Sequence, residues 1–213
     1  MNDAINEYLI STIGSKSDQV LQMEKYATEN KIPIMEPLGI ELLKQMLRVK
    51  QPKNILEIGA AIGYSAIRMA EATTDSTIVT VERDESRYQQ ALANIKETNL
   101  SERIDVIFGD ALEVYETVKE KGPYDVFFID AAKGQYQQFF ELYEQLIHQD
   151  GLIITDNVLF KGYVVDDQEG AQKGRMQKIG QKVRAFNNWI LNHPDFVTTI
   201  VPVGDGVALT VRK

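Results

Sequence analysis

The chain has 213 residues, a net charge of −8 and no cysteine. That length is enough for one sizeable α/β core, and the missing cysteines exclude disulfides and thiolate metal sites, which fits a reducing, cytoplasmic setting. The acidic balance excludes a uniformly basic nucleic-acid binder but leaves room for a local basic face, and two histidines, His148 and His193, are too few for a histidine-rich zinc site.

Residues 1 to about 50 carry helical spacing and no strand signal. Met1 to Glu7 lacks the basic-then-apolar pattern of a signal peptide, and no apolar run approaches a membrane span, so no membrane partner is expected. Val20, Leu21, Met23 and Tyr26 mark a weakly amphipathic helix ending near Asn30. Pro33 and Pro37 interrupt it, leaving Ile34-Met35-Glu36-Pro37 as a short extended link. A second helix over 38–49 follows, with Leu42, Leu43, Met46 and Leu47 on its apolar side. Such a prelude caps a sheet edge, covers a pocket or makes a dimer contact.

From residue 53 strands and helices alternate, which predicts a parallel sheet with helices on both faces. The expected strands are 54–58, 78–81, 104–108, 125–129 and 152–155, and the helices 64–72, 85–97, 111–121, 136–146 and 175–191. A polar, glycine-punctuated loop, 161–174, contains Asp166, Asp167 and Glu169. The tail, 197–203 and 207–211, is joined by Gly204-Asp205-Gly206, a hairpin signal. G-x-S-x-G, the mark of a strand-to-helix serine nucleophile, is absent.

The first strand and helix of this alternation flank Glu57-Ile58-Gly59-Ala60-Ala61-Ile62-Gly63-Tyr64-Ser65. This is G-x-x-x-G behind an acid. A dinucleotide fold wants G-x-G-x-x-G, and a P-loop wants Gly-Lys-Ser/Thr after its glycines. Glu57 before the turn suits a cationic ligand better than a pyrophosphate. The pattern resembles the glycine loop of class I S-adenosylmethionine (SAM) methyltransferases, whose cofactor carries a sulfonium and an ammonium. Gly59 and Gly63 let the backbone approach such a ligand, and Ser65 has a hydroxyl placed for its methionine part.

Ligands of doubly wound sheets bind beyond the carboxyl ends of the strands. Five expected strands end in polar or acidic residues: Glu57, Glu82, Asp110, Asp130 and Asp156-Asn157. Glu82, 19 residues past Gly63, can accept both hydroxyls of a ribose, with Asp110 and Ala111 beside the adenine. Asp130, Asp156 and Asn157 offer two carboxylates and an amide carbonyl, hard oxygen donors suited to Mg²⁺ or Ca²⁺. Lys133, three residues past Asp130, is placed to take the proton of a hydroxyl bound there.

Three segments now carry a fuller likeness: L-E-I-G-A-A-I-G-Y-S-A-I-R-M-A, F-I-D-A-A-K-G-Q-Y and I-I-T-D-N-V-L-F-K-G. With the Ile34–Pro37 link they resemble the Mg²⁺-dependent SAM O-methyltransferases of the catechol and caffeoyl-CoA type over nearly the whole chain. The resemblance implies a Rossmann-like α/β fold: a mainly parallel seven-stranded sheet, a C-terminal antiparallel hairpin and an N-terminal helical extension, in a single domain spanning 1–213. It implies SAM and Mg²⁺ as cofactors and a homodimer. It also implies that Met35 touches the cofactor, Glu82 holds the ribose, and Asp130, Asp156 and Asn157 bind the metal, with Lys133 as base.

Within that family P-I-M-E, K-G-Q-Y-Q, D-N-V-L-F-K-G and P-V-G-D-G resemble the bacterial enzymes that methylate 5-hydroxyuridine in tRNA. The substrate this implies is the wobble uridine of the tRNA anticodon, whose 5-hydroxyl beside the 4-carbonyl can chelate Mg²⁺ as a catechol does. The product is 5-methoxyuridine, and the alternative acceptor is a small catechol-like molecule. RNA needs a basic face, and Lys173, Arg175, Lys178, Lys182 and Arg184 follow one another with no acid between them. Arg175, Lys178 and Lys182 share one helical stripe. These five residues and Lys161 are the expected RNA contacts.

Overall fold

The computed structural model describes residues 3–165 and 174–213. Three helices precede the sheet: α1 (Asp3–Ser11), α2 (Asp18–Glu29) and α3 (Pro37–Lys50). Ser17 caps α2, its hydroxyl accepting the Val20 N–H, and Pro37 opens α3 at a position where no amide donor is needed. Between α2 and α3 the chain is extended, as the two prolines predict.

The alternating region follows with β1 (Asn54–Ile58), α4 (Tyr64–Ala72), β2 (Thr77–Glu82), α5 (Glu85–Glu97), β3 (Ile104–Phe108) and α6 (Tyr115–Glu120). It continues with β4 (Tyr124–Ile129), α7 (Tyr136–Tyr143), β5 (Ile147–Thr155) and α8 (Arg175–Leu191), and closes with β6 (Phe196–Val201) and β7 (Val207–Arg212). The sheet has seven strands in the order β3-β2-β1-β4-β5-β7-β6. Pairs from β3 to β5 are parallel, and β7 runs antiparallel to both β5 and β6. This is the mainly parallel sheet with a terminal hairpin that the sequence predicts.

Alternating residues of the strands feed two cores. Ile55, Ile78, Val126, Phe128 and Ile154 face the layer of α2, α3, α4 and α5. Leu56, Phe127, Ile129 and Ile153 face Tyr136, Phe140, Tyr143 and Phe186 from α7 and α8. Strands covered on both faces are mostly apolar, which is why Val126–Ile129 of β4 reads as a hydrophobic run and β1 as one broken by the buried Glu57. Among the described residues no helix is long and apolar enough to cross a membrane.

Two expected elements differ. The helix predicted over 111–121 is confined to Tyr115–Glu120, because the Asp110 carboxylate accepts the Leu112 N–H at 3.0 Å and the Asp110 carbonyl takes Glu113 and Val114. A side chain that bonds its own downstream backbone competes with the helical ladder. The strand expected over 152–155 begins at Ile147, where the polar His148-Gln149-Asp150 conceals it and the register against β4 shifts between Tyr124 and Val126. The acids Asp166, Asp167 and Glu169 and the cation Lys173 lie outside the described residues.

Gly59 follows β1 with φ +105, and a Cβ there would stand 2.0 Å from the Asp130 carbonyl oxygen. Gly14 has nothing within 4 Å of such a Cβ. Gly59→Ala therefore combines a disfavoured φ with a backbone collision and is expected to destabilise by about 2–5 kcal/mol, against a change within about 0.5 kcal/mol for Gly14→Ala. Urea unfolding of the two variants checks this, and equal midpoints would refute it.

Candidate active site

Strand register builds the site. Ile58 pairs with Val81 on one side and Ile129 on the other, and Ile129 pairs with Thr155. One residue further on, the same ladder sets Glu82, Gly59, Asp130 and Asp156 side by side across four parallel strands. The hydrogen bonds continue with it: Asp130 N–H donates to Ile58 O, and Asp156 N–H to Ile129 O, each at 3.0 Å. Residues as far as 97 positions apart (59 and 156) thus share one row at the carboxyl edge. Acids at strand ends converge because the strands are parallel and in step.

Above this row lies a cleft of about 300 Å³, at the lower end of small-molecule sites, roughly 300–1,000 Å³. Its wall includes Met35, Gly59, Ser65, Glu82, Asp110 and Ala111, and further along Asp130, Lys133, Asp156 and Asn157. Pro33 and Ile34 of the extended link also reach it, so the N-terminal extension contributes to the pocket.

At one end Glu82 is held rigidly. Its carboxylate accepts the backbone N–H of Ala61 at 2.8 Å and those of Arg83 and Asp84 at 2.9 Å. These bonds fix its direction while leaving lone pairs for hydroxyl donors. Asp110 pairs with Arg83 at 3.2 Å. Arg83 and Arg87 also line this end. Neither was singled out from the sequence, although Arg83 directly follows the strand-end acid.

Glu57 and Gly63 do not line the cleft. Glu57 is fully buried beneath the turn, with one oxygen taken by the Ser65 hydroxyl and the other by Thr80 Oγ1 at 2.5 Å. Burial raises its pKa from 4.5 to about 7, offset in part by those two hydrogen bonds and helped by the charges of Asp130 and Glu82. Ser65 lines the cleft, but its proton is committed to Glu57. Gly63 (φ +79) begins α4 from behind the wall. Both residues shape the turn from below.

At the other end the Asn157 amide donates to Asp156 Oδ2 at 2.9 Å, and Lys133 Nζ donates to Asn157 Oδ1. Asn157 holds a left-handed φ of +59, a conformation asparagine tolerates better than most residues. Burial raises the pKa of Asp130, with the Lys133 charge opposing. Burial likewise raises that of Asp156, reinforced by Asp130. Phe160 is buried with its ring 5.8 Å from Lys133 Nζ.

The described residues contain no group of three or more His, Cys, Asp or Glu side chains gathered round a common point. The donor set is therefore two carboxylates and one amide oxygen. Two neighbouring buried acids disfavour each other's ionised form, which marks a place where added positive charge is favourable, so the residues fit a divalent cation with oxygen ligands.

The expected RNA contacts lie differently. Lys161 is exposed in a turn, with φ +51 and its N–H donated to the Asp205 carboxylate. Arg175 and Lys178 are exposed on α8 and Arg184 is half-buried. Lys182 lies beside Gly134, the residue after the cleft-lining Lys133: a Cβ on Gly134 would lie 3.3 Å from its Nζ.

Comparison with known proteins gives a consistent picture. Residues 12–213 match the family model described as O-methyltransferase. Catechol O-methyltransferase of Niastella koreensis is 29% identical, over 99% of this chain and 97% of its own. A candidate caffeoyl-CoA O-methyltransferase from Staphylococcus aureus superposes with a TM-score of 0.90 at 36% identity, covering 97% of this chain and 98% of that one. An O-methyltransferase from Bacillus cereus in complex with SAH gives a TM-score of 0.84 at 27% identity, covering 99% and 97%.

Glu57 makes a pH prediction. Its folded pKa lies above the unfolded value, so the stability it contributes is full below pH 4.5 and is lost as pH rises to about 7. At about 1.36 kcal/mol per pH unit the loss is of the order of 3 kcal/mol. Glu57→Gln keeps the shape without the charge, so its stability relative to the native protein should rise across that window. Urea midpoints taken between pH 4.5 and 7 test this, and parallel curves would refute it.

Proposed function

The chain belongs to the O-methyltransferase family, and on that premise we propose that it moves the methyl group of SAM onto a ring hydroxyl that has a second oxygen beside it, the acceptor being a small catechol-like molecule. One observation carries this reading: the Glu82 end and the Asp130–Asp156–Asn157 end form a single cleft, so a nucleoside cofactor and a chelating acceptor can meet within it. The match to a catechol O-methyltransferase over nearly the full length supports the acceptor class.

Glu82 is the acceptor for the ribose hydroxyls, with Asp110 and Ala111 beside the adenine and Met35 closing over the cofactor from the link. The anionic row suits a cofactor that carries a sulfonium and an ammonium. Asp130, Asp156 and the Asn157 carbonyl would hold the divalent cation. Mg²⁺ bound there supplies Lewis acidity, lowering the pKa of the acceptor hydroxyl. Lys133 Nζ, as the neutral amine, takes the hydroxyl proton while the oxygen attacks the methyl in line, the methyl–sulfur bond breaks and the thioether leaves. The protein's share is orientation and a fixed field of charge.

A second reading is favoured by α8. Arg175, Lys178 and Lys182 form an exposed basic stripe on a chain of net charge −8, and Lys182 rests on the backbone next to Lys133. Such a stripe suits phosphate groups, and 5-hydroxyuridine at the wobble position of tRNA has the required pair of neighbouring oxygens. Methylation there gives 5-methoxyuridine.

The deciding assay follows methyl transfer from labelled SAM to a simple catechol and, separately, to bulk tRNA from a strain lacking this protein. Each is run with Mg²⁺ and with EDTA, and products are identified by mass. Metal-dependent methylcatechol with untouched tRNA is the expected result. 5-Methoxyuridine in the tRNA would instead establish the second reading, and a Lys178→Glu/Lys182→Glu variant should then lose about tenfold or more in tRNA methylation while retaining SAM binding. With whichever acceptor reacts, Lys133→Met should lower kcat by about 10²–10⁴-fold at unchanged SAM affinity. Undiminished turnover would remove Lys133 from the mechanism.

A further inference from the structure

Asn187 is a polar residue on an apolar face. It sits in the interior of α8 among Val183, Phe186 and Ile190, all buried, and is itself 7% exposed. Asparagine is a weaker helix former than leucine, and leucine would fill the same stripe. Its Nδ2 donates to the Val158 carbonyl at 2.7 Å, while its Oδ1 is buried with no partner among the described residues. A half-satisfied buried amide is disfavoured, so the donor, rather than the residue's polarity in general, is what this position provides.

Val158 is the residue after Asn157. Its N–H donates to Gly206 O at 3.0 Å, so both of its backbone polar groups are held, one by the hairpin turn and the other by α8. On the other side of Asn157 the Asp156 carbonyl accepts the buried Tyr136 hydroxyl at 3.0 Å. Asn157 therefore occupies its left-handed conformation between two clamped neighbours. Releasing the α8 clamp frees the Val158–Leu159 peptide unit, and on that side Asn157 then keeps only the hairpin's hold on the Val158 N–H.

We propose that Asn187 is a positioning residue for the cation site: through the Val158 carbonyl it sets the Asp156–Asn157 turn in the conformation that presents both side chains to a divalent ion. It touches neither ion nor substrate. The inference rests on the metal-dependent reading above and adds to it a residue on the helix that also carries the basic stripe. Groups that orient ligands from behind commonly change metal affinity by about 10–100-fold when removed.

The test is binding of Mn²⁺, followed by electron paramagnetic resonance or calorimetry on the full chain with SAM present, comparing Asn187→Leu with Ile190→Val. Leucine removes the donor and the orphaned acceptor together and suits the helix, while leaving the buried Val158 carbonyl without its partner. Asn187→Leu is expected to weaken Mn²⁺ binding about tenfold or more with SAM affinity close to native, at a lowered thermal midpoint that the second variant controls for. Ile190→Val, which loosens α8 without touching the carbonyl, should lower the thermal midpoint and leave Mn²⁺ affinity as it was. Native Mn²⁺ affinity in Asn187→Leu would overturn the positioning role alone, as would equal loss of Mn²⁺ and SAM. A native protein that binds no Mn²⁺ would overturn the metal reading, and this inference with it.

Discussion

The structure depends on a row of residues in register. Four parallel strands, β2, β1, β4 and β5, end in step, so Glu82, Gly59, Asp130 and Asp156 stand as neighbours across the sheet edge. Adjacent strands lie about 4.8 Å apart, which places Glu82 and the Asp130–Asp156 pair within one ligand's length. Gly59 sits between the two groups of acids, and its lack of a side chain is what lets the chain leaving β4 pass over it at Asp130. Any Cβ there would meet the Asp130 carbonyl. One glycine thus joins the two halves of the cleft.

That row concentrates negative charge where burial opposes it. Glu57, Asp130 and Asp156 all have raised pKa values, with burial as the leading cause. The three are managed differently. Glu57 is satisfied internally by Ser65 and Thr80 and anchors the turn from below. Asp130 and Asp156 open onto the cleft and have Lys133 beside them. A ligand bringing positive charge relieves Asp130 and Asp156 directly and reaches Glu57 only through the Asp130 charge that helps raise it, so binding and stability are linked most strongly at the cleft.

Rigidity around the ligand turn comes from three directions. Tyr136 at the start of α7, Asn187 in α8 and the Gly204–Gly206 turn of the hairpin each hold a backbone group between 156 and 161. The last two elements come after the parallel part of the sheet in the chain. The C-terminal hairpin and α8 are therefore part of the site's scaffold as well as of the core, and α8 also carries the exposed cations Arg175, Lys178 and Lys182. The extended link of the N-terminal region closes the opposite side through Met35.

Local patterns made much of this legible in the amino-acid sequence. Apolar runs marked β1 to β4, prolines marked the link, and G-x-x-x-G behind an acid marked the turn, because strand burial, proline geometry and tight turns depend on nearest neighbours. Strand-end acids could be named for the same reason. Other features depend on residues far apart in the chain. Glu57 and Glu82 are both strand-end acids, yet one turns inward to Ser65 and Thr80 while the other faces the cleft, a choice made by which partners the fold brings alongside. The shortened α6 reflects competition between the Asp110 side chain and a helical ladder. Asn187 was visible as a polar break in the stripe Val183, Phe186, Ile190, but nothing near it in the chain indicates that its partner is a carbonyl 29 residues earlier. Sequence determined the elements and the kinds of chemistry at their ends; tertiary structure decided which of those ends meet, because register and packing act between strands and helices that only folding makes neighbours.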